Sequence, residues 1–193
     1  MSELDRPHVL VVGGTGMLRA VSLALAKSSQ YVSVIARDAT RLQTLRRQAD
    51  QSAGDIYALP VDYRDSDALR HALKTATVRR GKFSRAVVWV HAVAPEAPFI
   101  IAQHVGEPNK IGRYIHVLSS ASADPSKSDT SRKQHFGKIK TLRYSEVILG
   151  FVRTAQGSRW LSHAEISQGV LHAINMNLDH YVVGTVKPWS ERP

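Results

Sequence analysis

Three glycines fall within four positions at Gly13-Gly14-Thr15-Gly16, directly after the apolar run His8-Val9-Leu10-Val11-Val12. A turn of this kind, set between a buried strand and a helix, brings backbone N–H groups close to a pyrophosphate and aims the helix N-terminus at the anion. The position predicts a dinucleotide-binding turn. A purely structural turn is the competing reading. Arg19 stands where the last glycine of such a fingerprint usually falls, and its side chain either lies along the helix or reaches a phosphate.

Cofactor choice is set at the end of the second strand. An acidic residue there bonds a ribose hydroxyl, whereas arginine accommodates a 2′-phosphate. This chain has Ala36-Arg37-Asp38, with Arg41 one helical turn later. A guanidinium is always charged and its fork matches phosphate. Arg37 and Arg41 therefore predict NADP(H) in preference to NAD(H), although Asp38 could instead meet a ribose. Acid–base chemistry could come from three further residues. Ser119 ends a predicted strand and could polarise a carbonyl, or simply satisfy local backbone. His91 could donate a proton near neutral pH, or line a ribose wall. Tyr144 is a phenol needing a positive neighbour, for which Arg143 and Lys140 are placed. His116 reads as packed within its strand. The histidines lack the paired spacing of a metal site and there is no Cys, so no metal is expected.

These residues require strands that end on one edge. Continuous apolar runs suit strands buried on both faces of a parallel sheet. Such runs predict strands at residues 8–12, 31–36, 55–60, 85–91, 113–118, 144–152 and 180–186. Helical patterning falls between them, at 17–28, 39–52, 65–80, 95–106 and about 162–176. Asp65 or Ser66 caps the third of these, and Ser162-His163-Ala164-Glu165 reads as a capping box for the last. Residues 121–142 read as loop with at most a short helix. Strict alternation predicts an α/β fold: a Rossmann-like doubly wound parallel sheet of about seven strands in three layers (α/β/α). One domain over residues 1–193 accounts for the length.

The chain has 26 Lys and Arg against 16 Asp and Glu, a net charge of +10. Arg37, Arg41, Arg46 and Arg47 form one basic stretch. Arg70, Lys74, Arg79, Arg80, Lys82 and Arg85 form a second. Lys127, Arg132, Lys133, Lys138, Lys140 and Arg143 form a third. Solvated helix faces explain most of these, and no zinc-finger, RNP-like or basic heptad pattern supports a nucleic-acid partner. No apolar run is long enough to cross a bilayer. The start, Met1-Ser2-Glu3-Leu4-Asp5, lacks the features of a signal peptide. A cytoplasmic protein with no membrane partner is the expectation, and a homo-oligomer is left open.

In sum these motifs resemble the short-chain dehydrogenase/reductase superfamily over nearly the whole chain. Val12-Gly13-Gly14-Thr15-Gly16-Met17-Leu18 is similar to the phosphate turn of its atypical and extended members. The resemblance implies cofactor contacts from Gly13, Gly14, Thr15, Gly16, Met17 and Leu18, with Arg37 at the NADP-type position. It implies an adenine contact from Asp62, with Tyr63 beside it, and adenosine and ribose contacts from His91 and Ala92. Val117-Leu118-Ser119-Ser120 matches the strand that bears the family's active-site Ser. Residues 147–154 resemble the segment that holds the nicotinamide carboxamide, which implies contacts from Gly150, Phe151, Val152 and Thr154. Leu149 replaces the usual proline there.

The family's Tyr-x-x-x-Lys pair is absent, since none of the six tyrosines has a Lys four residues on. The proton donor therefore cannot be carried over, and Ser119, His91 and Tyr144 stand as the catalytic candidates. The implied function is an NADP(H)-dependent oxidoreductase acting on a small-molecule carbonyl, imine or activated alkene. The alternative is a catalytically silent NADP(H)-binding sensor or partner-binding module.

Overall fold

The computed structural model describes residues 6–28, 30–124 and 131–193. The start at Met1 to Asp5 and Lys127 of the third basic stretch lie outside the described residues. Seven parallel strands form the main sheet: β1 (His8–Val12), β2 (Tyr31–Ala36), β3 (Asp55–Pro60), β4 (Arg85–Val88), β5 (Gly112–Ser119), β6 (Leu142–Leu149) and β9 (His180–Val183). Their order is β3-β2-β1-β4-β5-β6-β9. This is the doubly wound Rossmann-like sheet expected from the alternation.

Two cores sandwich the sheet. Val9, Val11, Val34, Ile115 and Val147 face α1 (Arg19–Lys27), α2 (Ala39–Asp50) and α6 (His163–Asn175). Leu10, Val12, Ala86, Val88 and Tyr114 face α3 (Ser66–Arg80), α4 (Ala97–Ala102) and α5 (Ser131–Gly137). Every residue of β1 is buried, because neighbouring strands and both helical layers enclose it. Local signals set the helix starts. Asp65 caps α3 through the N–H groups of Asp67 and Ala68, and Ser162 and Glu165 form the reciprocal capping box of α6. Among the described residues no helix is long and apolar enough to cross a membrane.

Four expected elements shift by more than two residues or break. The fourth strand stops at Val88, so Trp89, Val90 and His91 leave the sheet, and a turn closes through the Ala94 N–H on the His91 carbonyl. The helix expected at 95–106 covers only Ala97–Ala102. The last strand ends at Val183, where Gly184 follows with φ +74°. The long strand expected at 144–152 is broken at Gly150. A Cβ there would stand 2.1 Å from the Thr185 carbonyl oxygen. Phe151 and Thr185 exchange two backbone hydrogen bonds, of 2.8 and 2.9 Å, which draws the chain out of the sheet. Phe151 then opens an antiparallel hairpin, β7 (Phe151–Thr154) and β8 (Gly157–Trp160).

The strand order reverses between β1 and β4. In open α/β sheets that switch point creates a crevice at the carboxyl ends of the strands. Here the turn after β1 and the Trp89–His91 segment after β4 flank it.

Candidate functional site

The turn after β1 is built from two glycines with different tasks. Gly13 has φ +80°, and an added Cβ would press on Trp89 at 3.3 Å. Gly14 lets α1 lie against the sheet, since a Cβ there would meet Ser22 Oγ at 2.4 Å and Val34 Cγ1 at 2.8 Å. Gly16 is different in kind. Its φ is ordinary and a Cβ would meet only the Gly13 carbonyl oxygen, at 4.0 Å. Open space therefore lies beside it. The N–H groups of Thr15, Met17 and Leu18 have no hydrogen-bond partner among the described residues. Ser167 of α6 fixes the turn from behind by donating to the Met17 carbonyl at 2.7 Å. The side chain of Arg19 runs along the helices and bonds Gln48 of α2, so it points away from this space.

A cavity of about 290 Å³ opens on the turn, and its lining includes Gly13, Thr15, Gly16, Met17, Arg37, Arg41, Tyr63 and His91. Arg37 leaves β2 exposed and makes no ion pair among the described residues. Asp38 is occupied differently. It caps α2 by accepting from the Arg41 N–H, and Arg41 Nε stands 3.3 Å from its carboxylate. Asp62 is forked by Arg64, at 2.9 and 2.6 Å on one carboxylate oxygen, and these bonds hold its carboxyl below the usual range. Tyr63 is nearer the cleft, with its hydroxyl 3.5 Å from the His91 N–H.

A second cavity of about 400 Å³ adjoins the first. Trp89 and His91 line both. Ala92, Ser119 and Ser122 line the second, whose floor includes His116 and Arg132. Ser119 is exposed at the carboxyl end of β5, while its neighbour Ser120 is buried and accepts from Arg192 at 2.9 Å. Among the described residues the Ser119 hydroxyl has no partner, so it is available to a ligand.

Below this floor runs a buried polar chain. The Tyr144 hydroxyl donates to Glu146 Oε1 at 3.0 Å and so accepts from His116 Nδ1, also at 3.0 Å. Arg132 donates to the same carboxylate at 3.2 Å and Lys133 stands 3.1 Å away. Burial alone would raise the Glu146 carboxyl, but Lys133 and Arg132 outweigh it and hold it down. Burial lowers His116 to about 3, aided by Arg132, so its imidazole is neutral. Burial and the Glu146 carboxylate push the Tyr144 phenol upward. Register places Tyr144 opposite Tyr114 and Ser119 opposite Leu149. Tyr144 thus sits five residues below the Ser119 row, about 16 Å at ~3.3 Å per residue. Ser119 and His91 share one cavity, and Tyr144 lines neither.

The segment Gly150–Thr154 lines neither of the two cavities. Phe151 is buried against Thr185, Val152 faces the groove between α6 and β9, and the Thr154 hydroxyl donates to the Gly157 carbonyl. Trp89, His163 and Arg132 line the cleft without having been singled out from sequence. Trp89 had a signal, as the next residue along an apolar strand that leads into the cleft. His163 had one too, since the capping box placed it at the first turn of α6. Arg132 had none beyond its charge.

No protein-family model matches the sequence, and no curated protein matches it. Solved structures do. A short-chain type dehydrogenase/reductase from Mycobacterium marinum superposes with a TM-score of 0.72 at 16% identity, covering 96% of each chain. A variant of the actinorhodin polyketide ketoreductase with NADPH gives 0.71 at 14% identity, over 96% of this chain and 98% of that one. A metagenomic short-chain oxidoreductase in complex with NADP gives 0.70 at 15% identity, over 95% and 98%. The chain has the fold of the short-chain dehydrogenase/reductase superfamily. At these identities the likeness concerns architecture alone.

Proposed function

We infer that the chain is a single NADP(H)-binding domain and an atypical short-chain dehydrogenase/reductase, acting on a small-molecule carbonyl, imine or activated alkene. The observation that carries this reading is the pair of adjoining cavities hinged on Trp89 and His91. One borders the Gly13–Leu18 turn and the Arg37–Arg41 pair. The other borders Ser119. That is the layout of a dinucleotide cleft followed by a substrate cleft. The open space at Gly16 and the unpaired N–H groups beyond it fit a pyrophosphate. Arg37, without an ion pair among the described residues, fits a 2′-phosphate, and Asp38, which also lines the cavity, is engaged by Arg41 and by the cap of α2.

NADPH, when bound, supplies hydride, and the chain's own groups do the rest. Ser119 donates its hydroxyl hydrogen to a substrate oxygen and stabilises charge developing there. His91, exposed at the junction, holds the proton that the reduced oxygen or nitrogen takes up. Tyr144 acts on the floor rather than on substrate, by orienting Glu146 and His116. Residues 150–154 support β9 and α6 rather than the carboxamide.

A second reading, an NADP(H)-binding sensor or partner module without turnover, is favoured by the fixed, half-buried state of the Tyr144 phenol. Calorimetric titration with NADPH and NADH, followed by a carbonyl and imine panel, separates the two. Saturable turnover supports the enzyme. NADPH binding without turnover on any member supports the sensor. No binding of either nucleotide would sink both.

A further inference from the structure

The amino edge of the sheet, opposite the cleft, carries a row of arginines. Register pairs Arg85 of β4 with Arg113 of β5, and Arg113 with Arg143 of β6. In-register residues of a parallel sheet leave the same face, and strands lie ~4.8 Å apart. Like charges directly opposite one another on neighbouring strands repel. Two of the three are compensated. Arg113 donates to the Ile174 and Leu178 carbonyls at the end of α6. Arg143 forks onto Asp179 with two contacts of 2.6 Å.

Arg85 has no such partner. Among the described residues no carboxylate, carbonyl or hydroxyl accepts from it, and its Nε is buried without a hydrogen bond. Burial lowers the pKa of its guanidinium. Burial does the same to Arg113, and the charges of Arg85 and Arg143 add to that effect. These side chains line a cavity of about 750 Å³ together with Lys110, Gln30 and Asn177, and among the described residues no Asp or Glu lines it. Lys110 is exposed and its ammonium has no ion-pair partner among the described residues. Four cations thus line the cavity, with Asp179 paired to Arg143 and Glu107 close to Lys110 along the chain as the carboxylates beside it. The Arg85 Nε is closed off from the cavity, but the two Nη groups make no hydrogen bond among the described residues and are open to an anion.

We propose that this amino-edge cavity is a second anion site, which takes a phosphate-bearing small molecule seated on Arg85 and Lys110. A guanidinium fork beside an ammonium matches phosphate oxygens. The volume lies within the range of pockets for molecules of nucleotide size, roughly 300–1,000 Å³. The eight residues of β5 separate it from the cleft, about 25 Å at ~3.3 Å per residue. Both sites can therefore be filled at once, and the proposal stands whether or not the cleft binds NADP(H). Chemistry favours a small molecule over a nucleic acid. The adjoining surface is interrupted by Glu107, and its Arg80 is committed to Asp55 and to the ring of Tyr31. Arg85 and Lys110 share one hollow, and the carboxylates of Glu107 and Asp55 break up the positive surface beside it.

Calorimetric titration with inorganic pyrophosphate tests the site in the wild type, Gly16→Val, Arg85→Gln and Lys110→Ala. The Gly16→Val protein isolates the amino edge from the phosphate turn. Wild type and Gly16→Val should bind, and Arg85→Gln and Lys110→Ala should each weaken the binding retained in Gly16→Val at least ten-fold when combined with it. Arg85→Gln relieves repulsion, so its unliganded unfolding midpoint should not fall. If it does fail to fold, Lys110→Ala, at an exposed side chain, carries the test alone. No binding to folded Gly16→Val, or affinity unchanged by both edge substitutions, overturns the proposal. Tighter binding of a single-stranded oligonucleotide than of pyrophosphate, with the same dependence on Arg85 and Lys110, would overturn the small-molecule assignment.

Discussion

Arg41 Nε lies 3.3 Å from Asp38 Oδ2, while the Arg41 N–H donates to the other oxygen of the same carboxylate. The acidic residue at the end of β2 is thereby turned into a helix cap. Arg37 is left at the mouth of the first cavity without an ion pair among the described residues. Arg37→Ala should remove about 1.5–3 kcal/mol from NADPH binding, the usual worth of charged hydrogen bonds, and leave NADH binding nearly unchanged. Asp38→Ala should instead lower stability by about 0.5–2 kcal/mol through loss of the cap. Calorimetric affinities for both nucleotides, beside thermal unfolding, check the pair. An unchanged NADPH-to-NADH ratio in Arg37→Ala would remove the 2′-phosphate assignment.

Gly16 and Gly14 should separate binding from folding. A side chain on Gly16 enters open space without positive-φ strain, so Gly16→Val should unfold near the wild-type temperature and lose NADPH. The Cβ of Gly14→Ala would overlap Ser22 Oγ and Val34 Cγ1. Overpacking of this type destabilises by about 1–3 kcal/mol. Circular dichroism melts alongside nucleotide titration distinguish the two. A folded Gly16→Val that binds normally would put the cofactor elsewhere.

Much of this framework is legible in the residues. β1 and β2 keep their expected bounds because their apolar runs end at Gly13 and Arg37, and β3 ends as expected at Pro60, which has no N–H to donate. The capping box of α6 and the Asp65 cap are likewise local chemistry. What fails is long-range. Nothing near residue 150 shows that the Thr185 carbonyl lies against Gly150, so an apolar stretch from 144 to 152 reads as one strand. Trp89, Val90 and His91 are apolar enough to prolong β4, yet they turn out of the sheet to wall the cleft. The Phe151–Trp160 hairpin had a local sign in Gly157, whose φ is +134°, but the expected strand masked it. Side-chain commitments are the least legible. Asp62 is engaged by Arg64 and Tyr144 by Glu146, and neither pairing follows from spacing alone.

The three acid–base candidates should divide by their surroundings. Ser119→Ala and His91→Ala alter exposed side chains, so stability should hold while turnover falls, with a larger effect on kcat than on NADPH affinity. Tyr144→Phe removes the hydroxyl between His116 and Glu146 and leaves buried polar atoms short of a partner. That should destabilise by about 1–3 kcal/mol. Unfolding midpoints and steady-state kinetics on a substrate found by the panel test this division. A Tyr144→Phe protein of native stability with no turnover would return the phenol to the reacting atoms.

Stability should also depend on pH through two buried imidazoles. Burial lowers His8 to about 4 from 6.5, while its Nδ1 contacts the Gly81 carbonyl and its Nε2 contacts Ser33. Above 6.5 both native and unfolded forms are neutral and the contribution is complete. Between 6.5 and about 4 the unfolded chain takes a proton that native His8 refuses, so stability falls with pH. Each such group gives a slope of about 1.4 kcal/mol per pH unit. His116 acts in the same direction from 6.5 down to about 3. His8→Asn should flatten the fall in unfolding free energy on acidification by about one proton's worth. An equal slope in wild type and variant would mean that His8 protonates in the native state.

The hairpin and the chain end lock together, and Arg192 ties them to Ser120 beyond the carboxyl end of β5. Arg153 forks onto Glu191, Ser158 donates to the Glu191 carbonyl, and Arg192 lies 5.1 Å from the ring centres of both Trp160 and Trp189. Two of the three indoles are thus spent on this clasp, and Trp89 alone lines the two cavities. Optically the molecule therefore carries its own reference. An event in the crevice should dim Trp89, whereas loosening of the clasp should change the other two, so comparing the wild type with Trp89→Phe tells occupancy from unravelling.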